Sequence, residues 1–223
     1  MNRQPHFIPA FHFHWLTRWY DPMIRWLFPE LGIRSALVTQ ARIRSGQPVL
    51  DIGCGTGTLT LLIKQTEPEA VVCGLDADLE ILRIAQEKSD RNEKPILLQQ
   101  GTATCLPYAN ETFDHVFSSL LMHHLTRVDK QQALKEIFRV LKPGGELHIA
   151  DFGEPHDVTM WLLSRGMRWF EEINDHVLGL LPIFAEKAGF HSVQETAYYR
   201  TIFGAVVLIR ACKPDNARSE HVH

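Results

Sequence analysis

A glycine-rich segment at residues 49–59, VLDIGCGTGTL, constrains the fold of this chain more than any other part of its sequence. The apolar residues at its start predict a buried strand, and the residues after its last glycine predict a helix. Glycine adopts positive φ without a steric cost, so the residues between predict a tight turn. A strand, a turn and a helix in this order begin a βαβ unit. Such units build parallel sheets that bind ligands beyond the carboxyl ends of their strands.

The rest of the sequence continues this alternation. Strands are predicted at residues 48–52, 71–75, 96–100, 114–119, 146–152, 191–201 and 205–212. Helices are predicted at 58–65, from the cap Asp78 to about residue 88, and from the cap Thr126 to the stop at Gly144 and Gly145. The last two strands have so short a link that they must be antiparallel. We therefore predict an α/β fold with a seven-stranded, mostly parallel sheet and an antiparallel final strand.

The chain divides into three predicted parts. Residues 1–46 are helical in pattern and rich in aromatic side chains, and either pack on the domain as an amphipathic helix or form a lid over a pocket. Residues 47–213 are predicted to form the main domain. Residues 214–223 are polar and are predicted to be a flexible tail.

Composition excludes several classes of protein. A hydrophobic fraction of 45% over 223 residues suits a folded domain, and a net charge of −3 disfavours a dedicated nucleic-acid partner. The sequence has no apolar run of membrane-spanning length and no secretory pattern at its start. Its four cysteines lack C-x-x-C spacing, which argues against a disulfide framework and favours a cytoplasmic location.

Two carboxylates indicate what kind of ligand the glycine turn binds. Asp76 follows Gly57 by nineteen residues and ends the second predicted strand, where a carboxylate can accept hydrogen bonds from ribose hydroxyls. Dinucleotide folds use the spacing G-x-G-x-x-G, whereas this turn is G-x-G-x-G and is preceded by Asp51. A carboxylate there is unfavourable for a pyrophosphate and suits a cationic ligand such as S-adenosylmethionine. An NAD-dependent oxidoreductase is therefore a less favoured alternative.

Four segments carry a resemblance to a known family. They are VLDIGCGTGTL, VCGLDAD, LPYANETFDHVFSSLLMHHL and EIFRVLKPGGELHIADF. Together they resemble the class I S-adenosylmethionine-dependent methyltransferases over residues 14–212. The Tyr20-Asp21 pair is similar to a signature of the ubiquinone and menaquinone biosynthesis (methyltransferase type 11) branch. The resemblance implies a Rossmann-like three-layer α/β/α sandwich with an N-terminal helical lid.

The resemblance also implies which residues bind the cofactor S-adenosylmethionine. They are Tyr20, Asp51, Gly53, Gly55, Gly57, Asp76, Ala77, Thr102, Ala103 and Ser118. Thr102 departs from the family, which usually has Asp or Asn before the alanine. A hydroxyl can still accept a hydrogen bond from the adenine amino group, but the bond is weaker than one to a carboxylate.

His123 and His124 follow the fourth predicted strand and are the candidate catalytic residues. Either imidazole has suitable chemistry for a general base, and a pocket-lining or structural role is the alternative. Neighbouring side chains diverge, so at most one is expected to face the pocket. His12 and His14 lack cysteine or carboxylate partners at ligand spacing, so no metal site is predicted.

Aromatic and methionine residues at 11–28 and 160–170 favour a small apolar or aromatic acceptor. The predicted reaction is in-line transfer of a methyl group from the cofactor to this acceptor. The amino-methylation motif of nucleic-acid methyltransferases is absent. A non-catalytic regulatory protein that binds S-adenosylmethionine is the main alternative. Peripheral membrane contact stays open, and no oligomeric state is predicted.

Overall fold

A computed structural model describes residues 30–154, 156, 179–201 and 204–215. The helices are α1 (Glu30–Ala41), α2 (Thr58–Thr66), α3 (Leu79–Arg91), α4 (Arg127–Val140) and α5 (Leu180–Lys187), with a 3₁₀ turn at Met122–His124. The strands are β1 (Pro48–Ile52), β2 (Val71–Asp76), β3 (Leu97–Gln100), β4 (Phe113–Ser119), β5 (Leu141–Phe152), β6 (His191–Thr201) and β7 (Gly204–Cys212).

The seven strands form one sheet in the order β3-β2-β1-β4-β5-β7-β6. Strands β1 to β5 are parallel to their neighbours among themselves, and β7 runs antiparallel to both β5 and β6. The predicted sheet is therefore confirmed, including its antiparallel final strand. From β1 the chain adds β2 and then β3 on one side of the sheet. It then returns to the other side of β1, where it forms β4. This reversal opens a crevice between β1 and β4, where open α/β sheets bind ligands.

Apolar clusters cover both faces of the sheet, which confirms the three-layer sandwich. On one face, Leu37 of α1 and Ile63 of α2 pack with Phe117 of β4. On the other face, Leu134 of α4 and Phe184 of α5 join a second cluster. Burial of large apolar side chains stabilises each layer by roughly 1.5–3 kcal/mol per residue.

The predicted and observed boundaries of the elements differ most at strand β5. This strand begins at Leu141, directly after α4, whereas the sequence indicated a strand from residue 146. The reason is a second pairing site, because Leu141 lies beside Phe113 before an irregularity in the β4–β5 register. Gly144 has φ +75° in this irregular stretch. The Pro-Gly-Gly segment therefore bends the strand as well as ending the helix.

Helix α1 confirms part of the helical prediction for residues 1–46. Tyr20 and the aromatic residues at 11–28 lie outside the described residues, as do residues 160–170 and 216–223. The lid, the acceptor pocket and the flexible tail therefore stay predictions. None of the helices within the described ranges is long and apolar enough to cross a membrane.

Candidate active site

The glycine turn has the backbone geometry that the sequence predicts. Gly53, Gly55 and Gly57 have φ of +67°, +52° and +73°. The amides of Gly53 and Cys54 donate hydrogen bonds of 2.7 and 3.0 Å to the carbonyl of Leu75. The turn is therefore attached to the end of β2 as well as to β1.

Two of these glycines are required by close packing, and the third faces open space. A Cβ on Gly53 would lie 2.8 Å from Leu121 Cδ1, and one on Gly57 would lie 3.0 Å from Ala85 Cβ. A Cβ on Gly55 would meet nothing within 4 Å among the described residues. The backbone at Gly55 is therefore the part of the turn that a ligand can approach.

Asp76 fastens the turn from the end of β2. Its Oδ2 accepts a hydrogen bond of 2.9 Å from the amide of Gly55, and its Oδ1 accepts one of 3.0 Å from the amide of Asp78. A carboxylate has about four acceptor positions, so two remain for a ligand such as a ribose diol. Asp78 caps α3 by accepting from the amide of Glu80 at 2.8 Å, so the two carboxylates have separate roles.

Asp51 lies beneath the turn and not on its open side. The residue is 1% exposed, and its Oδ2 accepts a hydrogen bond of 2.6 Å from Thr60 Oγ1 on α2. Burial raises the pKa of Asp51 to about 7, although the Thr60 bond and the charge of Arg34 oppose this shift. Asp51 therefore supports the turn, and its carboxyl group titrates close to neutral pH.

The predicted adenine-binding residues lie beside Asp76 at the ends of β2 and β3. The carbonyl of Ala77 accepts a hydrogen bond of 3.1 Å from the side-chain amide of Gln100. Thr102 is exposed, and its hydroxyl lies 3.3 Å from that of Thr104. Ala103 is buried. The Thr102 hydroxyl is thus at the surface and accessible to a ligand.

Ser118 is an unexplained polar group near the end of β4. The residue is fully buried, and its Oγ finds no hydrogen-bond partner among the described residues. Its neighbours in register are Ile52 and Ile149. A buried hydroxyl without a partner is costly, so this atom is a candidate contact for a bound molecule.

His123 forms a buried pair with Asp151 at the end of β5. The Nδ1 of His123 lies 2.8 Å from Asp151 Oδ1, and the two side chains are 12% and 0% exposed. Asp151 also accepts hydrogen bonds of 2.7 and 2.8 Å from the amides of Met122 and Phe152. The edge of the His123 ring packs on Phe152. The imidazole is therefore held in one orientation.

His124 differs from His123 in its surroundings. Its ring centroid lies 4.0 Å from that of His123, but the residue is exposed. Sequence reasoning left the two histidines equivalent and did not single out Asp151. The one sequence signal that points to Asp151 is its position after an apolar run, near the carboxyl end of a predicted strand.

The pair borders the glycine turn. Leu121 contacts Gly53, and the next two residues both bond to Asp151. The ends of β1, β2, β4 and β5 thus bring together a turn with open backbone, two carboxylates near it, a buried hydroxyl and a histidine–aspartate pair. The Asp76 carboxylate beside the turn is unfavourable for a pyrophosphate, so these residues fit a cationic cofactor such as S-adenosylmethionine.

The match to known proteins agrees with this geometry. Residues 49–145 match the family model described as a methyltransferase domain. Residues 49–145 thus carry a methyltransferase domain. The resemblance drawn from the four sequence segments is thereby confirmed.

Curated relatives with similar sequences are named as quinone methyltransferases. The chain is 38% identical to the demethylmenaquinone methyltransferase of Lactobacillus johnsonii, over 56% of this chain and 51% of that protein. It is 33% identical to the corresponding enzyme of Lactiplantibacillus plantarum, over 64% and 63%. It is 34% identical to a ubiquinone/menaquinone biosynthesis C-methyltransferase of Cereibacter sphaeroides, over 66% and 54%. The matched part is less than two thirds of each relative.

Solved structures share the fold of this domain at low sequence identity. The YcgJ protein of Bacillus subtilis has a TM-score of 0.68 at 19% identity, over 83% of this chain and 99% of that one. A phosphoethanolamine N-methyltransferase of Haemonchus contortus, solved with S-adenosylmethionine, has a TM-score of 0.64 at 19% identity, over 82% and 52%. A [4+2]-cyclase, SpnF, has 0.66 at 18%, over 82% and 81%. The fold thus occurs with more than one chemistry.

Proposed function

We propose that this protein is an S-adenosylmethionine-dependent methyltransferase that acts on a ring carbon of a small quinol or a related apolar phenol. The observation that carries the proposal is the His123–Asp151 pair beside the glycine turn. The names of the sequence relatives support a quinol-type acceptor. The aromatic residues at 11–28 support an apolar one.

The cofactor-binding residues are those at the strand ends. Asp76 would accept hydrogen bonds from the ribose hydroxyls, and the open backbone at Gly55 would lie along the cofactor. Ser118 would supply its unpaired hydroxyl. When bound, S-adenosylmethionine supplies a methyl group activated by its sulfonium. The protein then contributes mainly by holding the reactants in line, which is worth about 7–11 kcal/mol in well-oriented reactions.

The His123–Asp151 pair would act on the acceptor. Asp151 accepts the proton on His123 Nδ1, so Nε2 is the basic nitrogen of the ring. Removal of a proton from a quinol hydroxyl by Nε2 increases the electron density of the ring carbon that attacks the methyl group. A positioned base of this kind contributes about 10²- to 10⁴-fold in rate. Asp151 also stabilises the imidazolium that forms.

The test is methyl transfer by the purified full chain from radiolabelled S-adenosylmethionine. The acceptors are a reduced demethylmenaquinone analogue, a simple phenol and phosphoethanolamine. We expect label on a ring carbon of the quinol, and more slowly on the phenol. Calorimetry with S-adenosylmethionine and NADH is the companion measurement. No binding of S-adenosylmethionine would overturn the whole proposal, and label only on the amine would overturn the acceptor.

A second candidate is cofactor binding without methyl transfer. Its support is the fold shared with the cyclase SpnF, since a common scaffold does not determine chemistry. S-adenosylmethionine would then bind to this chain, and no acceptor in the panel would receive label. The same experiment therefore separates the two candidates.

A further inference from the structure

Three side chains form a second polar cluster, which the methyltransferase site does not use. His115 of β4 and Glu146 and His148 of β5 lie on the sheet face that α1 covers. We call them the histidine–glutamate cluster. His115 pairs in register with Val49, two residues before Asp51. The cluster is therefore nearer the amino ends of the strands than the glycine turn is.

The ligand atoms of this cluster converge on one point. The Nε2 of His148 lies 3.3 Å from His115 Nδ1 and 3.4 Å from Glu146 Oε2. Each of the three residues offers a ligand atom that lies within 4.8 Å of the other two. Bonds of 2.0–2.1 Å to a tetrahedral zinc ion place neighbouring ligands about 3.3–3.4 Å apart. Both measured separations have this value.

A hydrogen-bond network without a metal leaves one of these contacts unsatisfied. His148 Nε2 carries at most one proton, and a carboxylate is only an acceptor. If His115 donates to His148, then His148 Nε2 and Glu146 Oε2 face each other with lone pairs. If His148 donates its one proton to His115, the 3.4 Å contact between His148 Nε2 and Glu146 Oε2 has no proton of its own. A cation at the centre satisfies all three atoms together.

The surroundings resemble those of a metal centre. The side chain of His148 is 0% exposed, and its ring stacks on Phe117 with centroids 4.9 Å apart. His115 Nε2 lies 3.2 Å from the acceptor Gln47 Oε1. His148 Nδ1 lies 3.3 Å from Gln40 Nε2, so with zinc on His148 Nε2 the Gln40 amide must turn its oxygen toward this ring. Metal-ligating histidines usually have such a partner on the second ring nitrogen.

The charges in the cluster favour ligation. Glu146 adds a carboxylate to the two imidazoles. Arg210 contacts Oε1 of this carboxylate, which leaves Oε2 toward the histidines. Imidazole and carboxylate groups are donors that zinc binds.

We propose that His115, Glu146 and His148 bind one zinc ion, which joins β4 to β5 beneath α1. Three protein ligands leave a fourth position for water. Magnesium and calcium are excluded as occupants because they prefer six or more oxygen ligands. The site is separate from the methyltransferase site and does not depend on its proposed function.

The first experiment titrates the chelator-treated full chain with zinc and with magnesium in a calorimeter. We expect one zinc site of micromolar affinity or tighter and no magnesium binding. Zinc at about 100 times its dissociation constant should raise the melting temperature by roughly 5–10 °C. Cobalt should bind with the visible spectrum of a tetrahedral site that has nitrogen and oxygen ligands.

Variants assign the ion to the cluster. His148→Gln keeps a polar side chain and should reduce zinc affinity at least about 100-fold, since even losing an outer partner of a ligand costs about 10- to 100-fold. His191→Gln is the matched control, because it removes an exposed histidine that lies opposite Cys212 in the β6–β7 register and outside the histidine–glutamate cluster. Wild-type protein that binds no zinc would overturn the proposal. Unchanged affinity in His148→Gln, or loss of binding in His191→Gln, would also overturn it.

Discussion

The amide of Gly55 donates a hydrogen bond of 2.9 Å to Asp76 Oδ2, which joins the ligand-facing point of the turn to the end of the neighbouring strand. One carboxylate therefore both shapes the turn and is available to a ribose. Its removal should affect the cofactor far more than the fold. The turn keeps the bonds from Gly53 and Cys54 to Leu75.

Asp76→Ala should weaken S-adenosylmethionine binding by about 1.5–3 kcal/mol, or roughly 10- to 150-fold, which is the usual effect of losing hydrogen bonds to a charged group. Titration calorimetry of both proteins measures this difference. Asp90→Ala is the control, since it removes an exposed carboxylate from α3. Equal affinities in all three proteins would show that Asp76 does not contact the cofactor.

His123→Gln and Asp151→Asn should each lower kcat about 10²- to 10⁴-fold, because the pair acts as one base. His124→Gln should stay within about threefold of wild type. Initial rates with saturating cofactor and quinol measure these effects. Asp151 also accepts two backbone hydrogen bonds, so melting temperatures must accompany its rates. A larger defect in His124→Gln than in His123→Gln would exchange the roles of the two histidines.

The buried carboxyl group of Asp51 should make stability depend on pH. Its pKa rises from 3.8 to about 7 on folding, so the folded state binds more protons than the unfolded state between these values. The contribution of Asp51 to the free energy of unfolding is therefore most favourable below about pH 4. It falls as pH rises, by on the order of 4 kcal/mol in total, and is constant above about pH 7.

Urea denaturation of wild type and Asp51→Asn at pH 4, 5.5 and 8 tests this dependence. The difference in unfolding free energy, wild type minus variant, should decrease steadily over this series, because the variant cannot ionise. A difference that stays constant would mean that Asp51 keeps its ordinary pKa. The Thr60 hydroxyl can still donate to the asparagine, so the packing around α2 is retained.

Gly53→Ala should destabilise the domain more than Gly46→Ala does. Both glycines have positive φ, at +67° and +75°, so both variants incur similar backbone strain. At Gly53 the new methyl group also meets Leu121 at 2.8 Å, whereas at Gly46 nothing lies within 4 Å in the described structure. The extra cost should be about 1–3 kcal/mol in the free energy of unfolding. Equal losses would mean that Leu121 moves freely.

Local signals were sufficient to predict the fold and the geometry of the glycine turn. The cap residues Asp78 and Thr126 each accept from amides at the start of a helix, as their sequence contexts indicate. Asp76 follows from its position at the end of a predicted strand. These features depend on residues close together in the chain, and that is why a single sequence reveals them.

Features that depend on strand register could not be predicted. His123 and Asp151 are 28 residues apart, and His115 and His148 are 33 apart. Only the pairing of β4 with β5 brings each pair together. Each of these polar residues interrupts a mostly apolar stretch of sequence. Such an interruption does not reveal which residue of the neighbouring strand lies beside it. The proposed zinc ligands share this property, because His115 is far from Glu146 and His148 in the chain.

The position of β7 has a consequence for synthesis of the chain. This strand is the last to leave the ribosome, yet it lies between β5 and β6 and is almost wholly buried. Until it emerges, β5 has an open edge and β6 has no neighbour in the sheet. Unpaired edges of this kind promote association between nascent chains. Completion of the sheet must therefore wait until residues 204–212 have emerged, and termination before residue 204 would leave β6 without its partner and the edge of β5 unpaired.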